Sequence, residues 1–346
     1  MTTICTQHDP SADAEWDDFV ARHPDGTFFH RAAWAHVLRT AFGHNPHFLV
    51  ARRAGAIVGV LPLAHQMSLI FGQSLISLPF CVYGGPLVAD EAAGIALREA
   101  AEALMRKLGL SVMEWRTREA SPALTPGWQA RDDLYVTFRK PISADDDANL
   151  KAIPRKQRAV VRKGIDGGLT SIVDQDTDRL HRIYAESVRN LGTPVFSRRY
   201  FSILKQTFGA EMDVLTVMED DQPRASVLNF YWRDEVLPYY GGGTAAARAC
   251  HANDFMYWDV MRHAARRGCR LFDYGRSKVG TGAYSFKKNW GFTPEPLPYR
   301  FFLAPGVAIP DHNPLNPKYR LFIAAWKKLP LPIANLIGPA IVRGLG

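Results

Sequence analysis

LPYYGGGT, residues 237 to 244, nearly repeats CVYGGP, residues 81 to 86, and the agreement extends outward from both. Ahead of the first copy, FLVARRAGAIVGVLPLAH (48–65) reads as a hairpin, two apolar runs about an Ala54-Gly55 turn. Ahead of the second, DVLTVMEDDQPRASVLNFYW (213–232) is again a hairpin, turning at Asp220-Asp221-Gln222-Pro223. Behind each copy stands a helical pattern. ALREAAEALMRKLGL stops at Gly109, and NDFMYWDVMRHAARRGC has Asn253 as its cap and Gly268 at its end. Each unit closes on a short strand, SVMEWR (111–116) or LFDYGR (271–276). Helical segments precede both hairpins: HRAAWAHVLRTAFG before the first, TDRLHRIYAESVRNLG and RRYFSILKQTFG before the second.

A duplicated unit of helices, hairpin, strand, helix and strand accounts for this order. Hairpins dominate over crossovers, so the class is α+β with mostly antiparallel sheets, not a doubly wound fold. Pro141 and the run Asp145-Asp146-Asp147 mark the junction, which gives domains over 1–145 and 146–303 and a tail over 304–346.

The 346 residues are enough for two cores, and the formal charge of +8 favours a polyanionic partner: nucleic acid, a phosphorylated substrate or anionic lipid. The four cysteines (Cys5, Cys81, Cys250, Cys269) share no metal-ligand spacing and form no disulfide framework, which suits a reducing cytosol. The N-terminal stretch lacks a basic region followed by an apolar core, and no run reaches the roughly 18 apolar residues of a spanning helix. The expectation is a cytoplasmic protein.

Four features could carry chemistry. In KAIPRKQRAVVRKGIDGG, residues 151 to 168, six of the thirteen residues from Lys151 to Lys163 are Lys or Arg. Pro154 suits a helix start, and Arg155, Arg158 and Arg162 then share one face. That face is either simply solvated or a phosphate site. No aromatic residues are interleaved, which argues against base-specific RNA recognition. The Gly241–Gly243 run lacks the lysine and hydroxyl of a P-loop and reads as a flexible loop bordering a cleft. Asp273 and Glu114 hold corresponding places on the closing strands. Either could accept a proton, or be salt-bridged to Arg276 or Arg116. In Phe286-Lys287-Lys288-Asn289-Trp290-Gly291, a strand over 283–288 would put Phe286 and Lys287 on opposite faces. Lys287 would then stabilise an oxyanion at a cleft, or guard a sheet edge. No zinc signature, serine elbow or catalytic cysteine context is present, so no metal is expected.

Several of these motifs together resemble the FemAB peptidyltransferases and their relatives with a BioF2-like acetyltransferase domain. They are F-D-Y-G-R-S (272–277), F-K-K-x-aromatic-G (286–291), R-K-Q-R-x-x-x-R-K (155–163), and a tryptophan helix after an early F-F-H (28–30). FemAB-like proteins of exosortase/PEP-CTERM systems also share the W-K-K-L-P-L-P…G-P pattern of the C-terminal region. The resemblance implies two tandem GNAT-type N-acyltransferase domains and transfer of an acyl or aminoacyl group to an amine without a covalent enzyme intermediate. The acceptor would be a cell-envelope or exopolysaccharide precursor. By position Lys287 matches the family's transition-state lysine; Asp273 stands beside it as a catalytic candidate from its own place on the closing strand, with the general base left open. Arg276, Ser277, Tyr240 and Phe286, with Arg155, Arg158 and Arg162, would bind substrates. No bound cofactor is implied. The donor enters as co-substrate: acyl-CoA, acyl carrier protein or aminoacyl-tRNA. The coiled-coil arm that some Fem proteins use for tRNA is absent from residues 200–300.

The stretch 321–346 is apolar, broken by Pro330, Pro332 and Pro339, and carries Lys327, Lys328 and Arg343. It either docks on the protein's own core or makes a peripheral membrane contact. Two non-enzymatic readings stand beside the acyltransferase: a binding module for anionic glycan or RNA, and a membrane-surface scaffold.

Overall fold

The computed structural model describes residues 2–68, 72–118, 126–310 and 320–345. It comprises two compact units. One is built from Met1–Leu134, Leu297–His312 and Arg343–Gly346, the other from Tyr135–Pro296 and Asn313–Val342.

The first unit opens with β1 (Ile4–Gln7), α1 (Asp13–Arg22) and the single-turn α2 (Trp34–Val37). Its hairpin is β2 (Asn45–Arg53) and β3 (Ala56–Ser68), which close through Ala54 and Gly55 at φ of 50° and 86°. This left-handed pair has the twist a two-residue loop needs. After β4 (Gly72–Ser77) and β5 (Leu87–Val88) comes α3 (Glu91–Lys107). The Asp90 carboxylate caps α3 by accepting from the Ala93 N–H at 3.0 Å. Ala93, Leu97, Ala101 and Met105 recur every four residues and bury one stripe of it. β6 (Val112–Trp115) and β7 (Trp128–Arg131) follow.

The second unit starts at β8 (Tyr135–Pro141), followed by α4 (Asp146–Ala152), α5 (Arg155–Asp166), β9 (Thr170–Val173), α6 (Asp178–Leu191) and α7 (Arg198–Phe208). Its hairpin, β10 (Met212–Glu219) and β11 (Gln222–Trp232), turns through Asp220 and Asp221 at φ of 46° and 60°. Next come β12 (Glu235–Gly243), α8 (Ala252–Arg266), β13 (Leu271–Asp273) and β14 (Ser277–Lys278). α9 (Gly282–Asn289) and β15 (Pro294–Pro296) complete the sheet unit, whose order is β14-β8-β13-β12-β11-β10-β9, with β15 on β8. The core beneath it joins Phe255, Met256 and Val260 of α8 to Phe138, Phe272 and Trp290.

β16 (Tyr299–Leu303) returns to the first unit and lies between β6 and β7, giving the order β1-β2-β3-β4-β6-β16-β7. The compact units therefore divide the chain differently from the expected 1–145 and 146–303. Phe138 carries β8 into the second core, and Phe302 carries β16 into the first, against Trp128. The expected tail over 304–346 is divided: its helical stretch, 320–342, belongs to the second unit, and residues 304–310 and 343–345 belong to the first. The helical stretch forms α10 (Arg320–Trp326) and α11 (Leu331–Val342), and the Trp326 indole donates to the Thr193 carbonyl at 3.1 Å.

Local details differ from three expectations. α8 begins after His251, a left-handed cap at φ 64°, and not at Asn253, whose side chain lies over Gly243. Gly241–Gly243 is the end of β12, paired with Val227, Ser226 and Ala225, and not a flexible loop. Glycine is needed because a Cβ on Gly242 would lie 2.5 Å from that of Ser187 on α6. Residues 283–288 are helical, not a strand: the Thr281 hydroxyl caps the Tyr284 N–H at 3.3 Å, and Ala283, Phe286 and Trp290 keep helical spacing.

Candidate active site

The second sheet has an opening. β12 and β13 run parallel but pair only at Glu235↔Leu271 and Val236↔Phe272. Beyond those pairs β12 continues along β11 to Gly243, while the chain after Phe272 follows β8. Asp273 pairs with Arg139 and Ser277 with Val136, so four steps on one strand match three on the other. The extra residue is a bulge at Gly275, whose φ of 67° supplies the left-handed conformation. Two parallel strands thus part, and the bulge sits where they do so.

The bulge places carbonyls for a cation. Lys287 reaches from α9 and its ammonium donates to the carbonyls of Gly275 (2.9 Å) and Arg276 (3.1 Å). The Nζ lies 5.3 Å from the Tyr274 ring centroid and 5.6 Å from that of Phe138. The residue is half-buried, but the surroundings of its ammonium are largely apolar. Burial lowers its pKa from 10.5 to about 7; the charge of Asp273 opposes that shift and Arg276 adds to it.

Asp273 is wholly buried beside the bulge. Its Oδ1 accepts from the Gly275 N–H at 2.8 Å and the Thr137 hydroxyl at 3.3 Å. Its Oδ2 lies 3.6 Å from Arg139 Nε, and Arg139 is also ion-paired with Glu235. Asp273 is therefore a tethered counter-charge. Glu114, its counterpart in the first unit, accepts from Arg116 at 2.7 Å, the local pair that the sequence allowed.

The other expected residues divide into two groups. The Arg276 guanidinium lies over the Tyr135 ring at 4.4 Å, and Phe286 packs against Tyr257, Tyr274 and Trp290. The Ser277 hydroxyl is buried without a hydrogen-bond partner among the described residues, and so is that of Tyr274. All four line the neighbourhood of the bulge. Tyr240 is instead built into an aromatic cluster with Tyr184, Phe196 and Phe201, and its hydroxyl shares a 2.8 Å hydrogen bond with Tyr200.

Arg155, Arg158 and Arg162 lie along one side of α5. With Ala159, Lys163 and Asp166 they border a surface depression of about 450 Å³ that includes neither Lys287 nor Asp273. Among the described residues none of the three arginines has a carboxylate within ion-pair distance. The opposite side buries Val161 and Gly164, the latter against Phe255 of α8. Asp254 links this helix to α9: it accepts from the Gln157 amide and, at 3.1 Å, from the indole of Trp290.

Sequence reading missed the contribution of β8, which supplies Tyr135, Thr137, Phe138 and Arg139 to the site. The alternation of Tyr135, Thr137 and Arg139 with Val136 and Phe138 was the available signal. It also missed how the first unit differs. There the parallel pair β4 and β6 stays in register to Ser77↔Trp115. The buried Arg116 guanidinium then donates to the carbonyls of Leu78 (3.0 Å) and Cys81 (2.8 Å). The place that opens in the second unit is plugged in the first.

Residues 150–288 match the family model described as an acetyltransferase (GNAT) domain. Among curated proteins, none matches the sequence. Among solved structures the chain is similar to FemX, with a TM-score of 0.69 at 15% identity, over 93% of this chain and 100% of that one. It is similar to L-PGS from Bacillus licheniformis with a TM-score of 0.57 at 13% identity, over 98% of each chain. A tandem GNAT protein from the clavulanic acid biosynthesis pathway gives 0.55 at 15% identity, over 88% of this chain and 99% of that one. At such identities the likeness is one of fold. The chain therefore has an α+β, two-unit, GNAT-like architecture similar to that of a tandem GNAT protein, and its match to the acetyltransferase (GNAT) domain model falls in the second unit.

Proposed function

We propose that the second unit is a cytoplasmic, FemAB-like N-acyltransferase centre that moves an acyl or aminoacyl group onto an amine. The observation that carries this reading is Lys287, a cation fixed on the carbonyls of Gly275 and Arg276 where β12 and β13 part. In such a transfer the amine nitrogen bonds to the donor's carbonyl carbon, and negative charge gathers on the carbonyl oxygen. The bond to the departing sulfur or oxygen then breaks, and the amine's proton leaves with that group. Lys287 meets the developing charge. Asp273 opposes the loss of the ammonium's proton that burial favours, and Arg276, Phe286, Ser277 and Tyr274 surround the bulge that Lys287 holds.

The arginines of α5 suit the phosphates of the donor, whether acyl-CoA, acyl carrier protein or aminoacyl-tRNA. Tyr240 acts behind the strand by fixing β12. The likeness in fold to FemX, and the motifs shared with exosortase-associated proteins, support an acceptor that is a peptidoglycan or exopolysaccharide precursor.

Labelled aminoacyl-tRNA and labelled acyl-CoA, offered in turn with cell-envelope extract, test the reading. One label should reach an amine, and Lys287→Ala should end transfer while donor binding survives. No transfer from either donor, or transfer undiminished in Lys287→Ala, would overturn it and favour a non-catalytic module for anionic glycan or RNA built on the same arginines.

A further inference from the structure

We propose that the outer faces of α10 and α11 bind the surface of an anionic phospholipid bilayer. Both helices are apolar on two sides. Inward, Trp326, Ala334, Gly338 and Val342 are buried. Gly338 meets the backbone of Val195 so closely that a Cβ would lie 3.0 Å from its nitrogen. Outward, Leu321 is 84% exposed and Leu336 79%, and Phe322, Ile333 and Ile337 are exposed with them. Leu191, at the end of α6, adds another exposed leucine at 68%. A helix that serves only to cover a core carries polar residues on that outer side.

Charge selects the occupant. From Arg320 to Val342 the chain carries Arg320, Lys327 and Lys328, all exposed, and no acidic residue. The two lysines sit at the turn between the helices. That turn is fixed in place, because Arg189 donates to the carbonyls of Lys327 and Leu329, both at 3.4 Å. Leucines, isoleucines and a phenylalanine beside uncompensated cations match the boundary between acyl chains and anionic headgroups. A second copy of the chain would bring like charges together. The helices have 7 and 12 residues, and no helix among the described residues is long and apolar enough to cross a membrane. The contact is therefore one of lying on the surface.

The test is cosedimentation of the full-length protein with phosphatidylcholine vesicles, with and without phosphatidylglycerol, at low and high salt. The protein should partition onto the phosphatidylglycerol vesicles, and salt should weaken the binding. Lys327→Ala with Lys328→Ala should lower partition about 25-fold, at about fivefold per basic residue near an anionic surface. Leu321→Asp with Leu336→Asp should abolish it at an unchanged melting temperature, because both side chains already stand in water. Failure to partition onto either vesicle would overturn the proposal, as would undiminished binding by the aspartate variant. A concentration-dependent dimer, lost in Leu336→Asp and indifferent to vesicles, would overturn it too and assign the face to self-association.

Discussion

Replacing Lys287 by methionine should make the stability of the protein less dependent on pH while ending its chemistry. The ammonium ordinarily titrates at 10.5 and here at about 7, with burial as the main cause. At about 1.4 kcal/mol per factor of ten that interval corresponds to about 5 kcal/mol of preference for the neutral form. The side chain keeps part of its surface in water, so about 2–3 kcal/mol is the working figure.

The unfolded chain holds its proton up to 10.5, whereas the folded chain releases it near 7. Between those values the unfolded state binds more protons, so this group makes the protein more stable as pH rises. Below 7 the whole penalty is present, and above 10.5 it is gone. Methionine lacks the titration. It also leaves the Gly275 and Arg276 carbonyls without their donor, at a pH-independent cost of about 1–3 kcal/mol. The diagnostic quantity is therefore the pH trend, not the sign of the difference. Measured by urea unfolding, the advantage of the variant over wild type should fall by about 1–2 kcal/mol between about pH 7 and 9. A difference constant over that range would refute a buried, depressed ammonium. Activity gives a second readout. A cation that stabilises charge predicts a kcat/KM that declines as pH rises through about 7, and Lys287→Arg should remove that decline. A Lys287-dependent rise through the same range would mean that the neutral amine acts as a base.

Asp273→Asn should cost about 3 kcal/mol or more by urea unfolding, since it leaves the guanidinium of Arg139 with one buried counter-charge fewer. It should also move the Lys287 limb to lower pH, because a neighbour that favours the ammonium is lost. Arg155→Glu with Arg162→Glu should raise KM for a phosphate-bearing donor at least about tenfold. That effect should shrink with salt, and the melting temperature should stay within a degree or two, as these are surface positions. Gly242→Ala should destabilise by about 1–3 kcal/mol, the cost of moving Ser187 from a Cβ 2.5 Å away, as calorimetry would show.

The duplication was legible because hairpins and helices announce themselves locally. Ala54-Gly55 and Asp220-Asp221 sit between apolar runs, and α3 and α8 repeat their buried residues at helical spacing. What escaped was non-local. Nothing within residues 135–141 says that they pair with Asp273 and not with the first sheet; Phe138 reaches the second core through long-range packing alone. α9 was open to a strand reading because eight residues can carry an aromatic-lysine pair in either conformation. The cap at Thr281 and the return of an aromatic at Trp290, four residues after Phe286, decided for helix.

The same limits bear on the site. Asp273, Arg276 and Ser277 are gathered by the bulge at Gly275, and α9 brings Lys287 and Phe286 to it. Tyr240 lay in a motif as prominent as theirs, yet it serves the aromatic cluster of α6 and α7. The two Tyr-Gly-Gly copies show why shared letters do not guarantee shared roles. Gly84 stands at φ 146° outside any strand, with Ser77 O 2.8 Å from where its Cβ would be, whereas Gly241 and Gly242 are strand residues pressed beneath Val227 and Ser187. In the first unit the glycine lets the chain fold back over the end of β4, where Arg116 seals it. In the second the glycines let β12 run on past β13, which leaves an opening beside the bulge whose carbonyls Lys287 holds. Removing the plug with Arg116→Ala in the full-length protein should therefore lower the melting temperature and leave the rate of transfer per folded molecule unchanged, because the chemistry depends on the lysine that α9 supplies to the second unit. A gain in transfer that survives Lys287→Ala would show that the first unit holds a latent centre of its own.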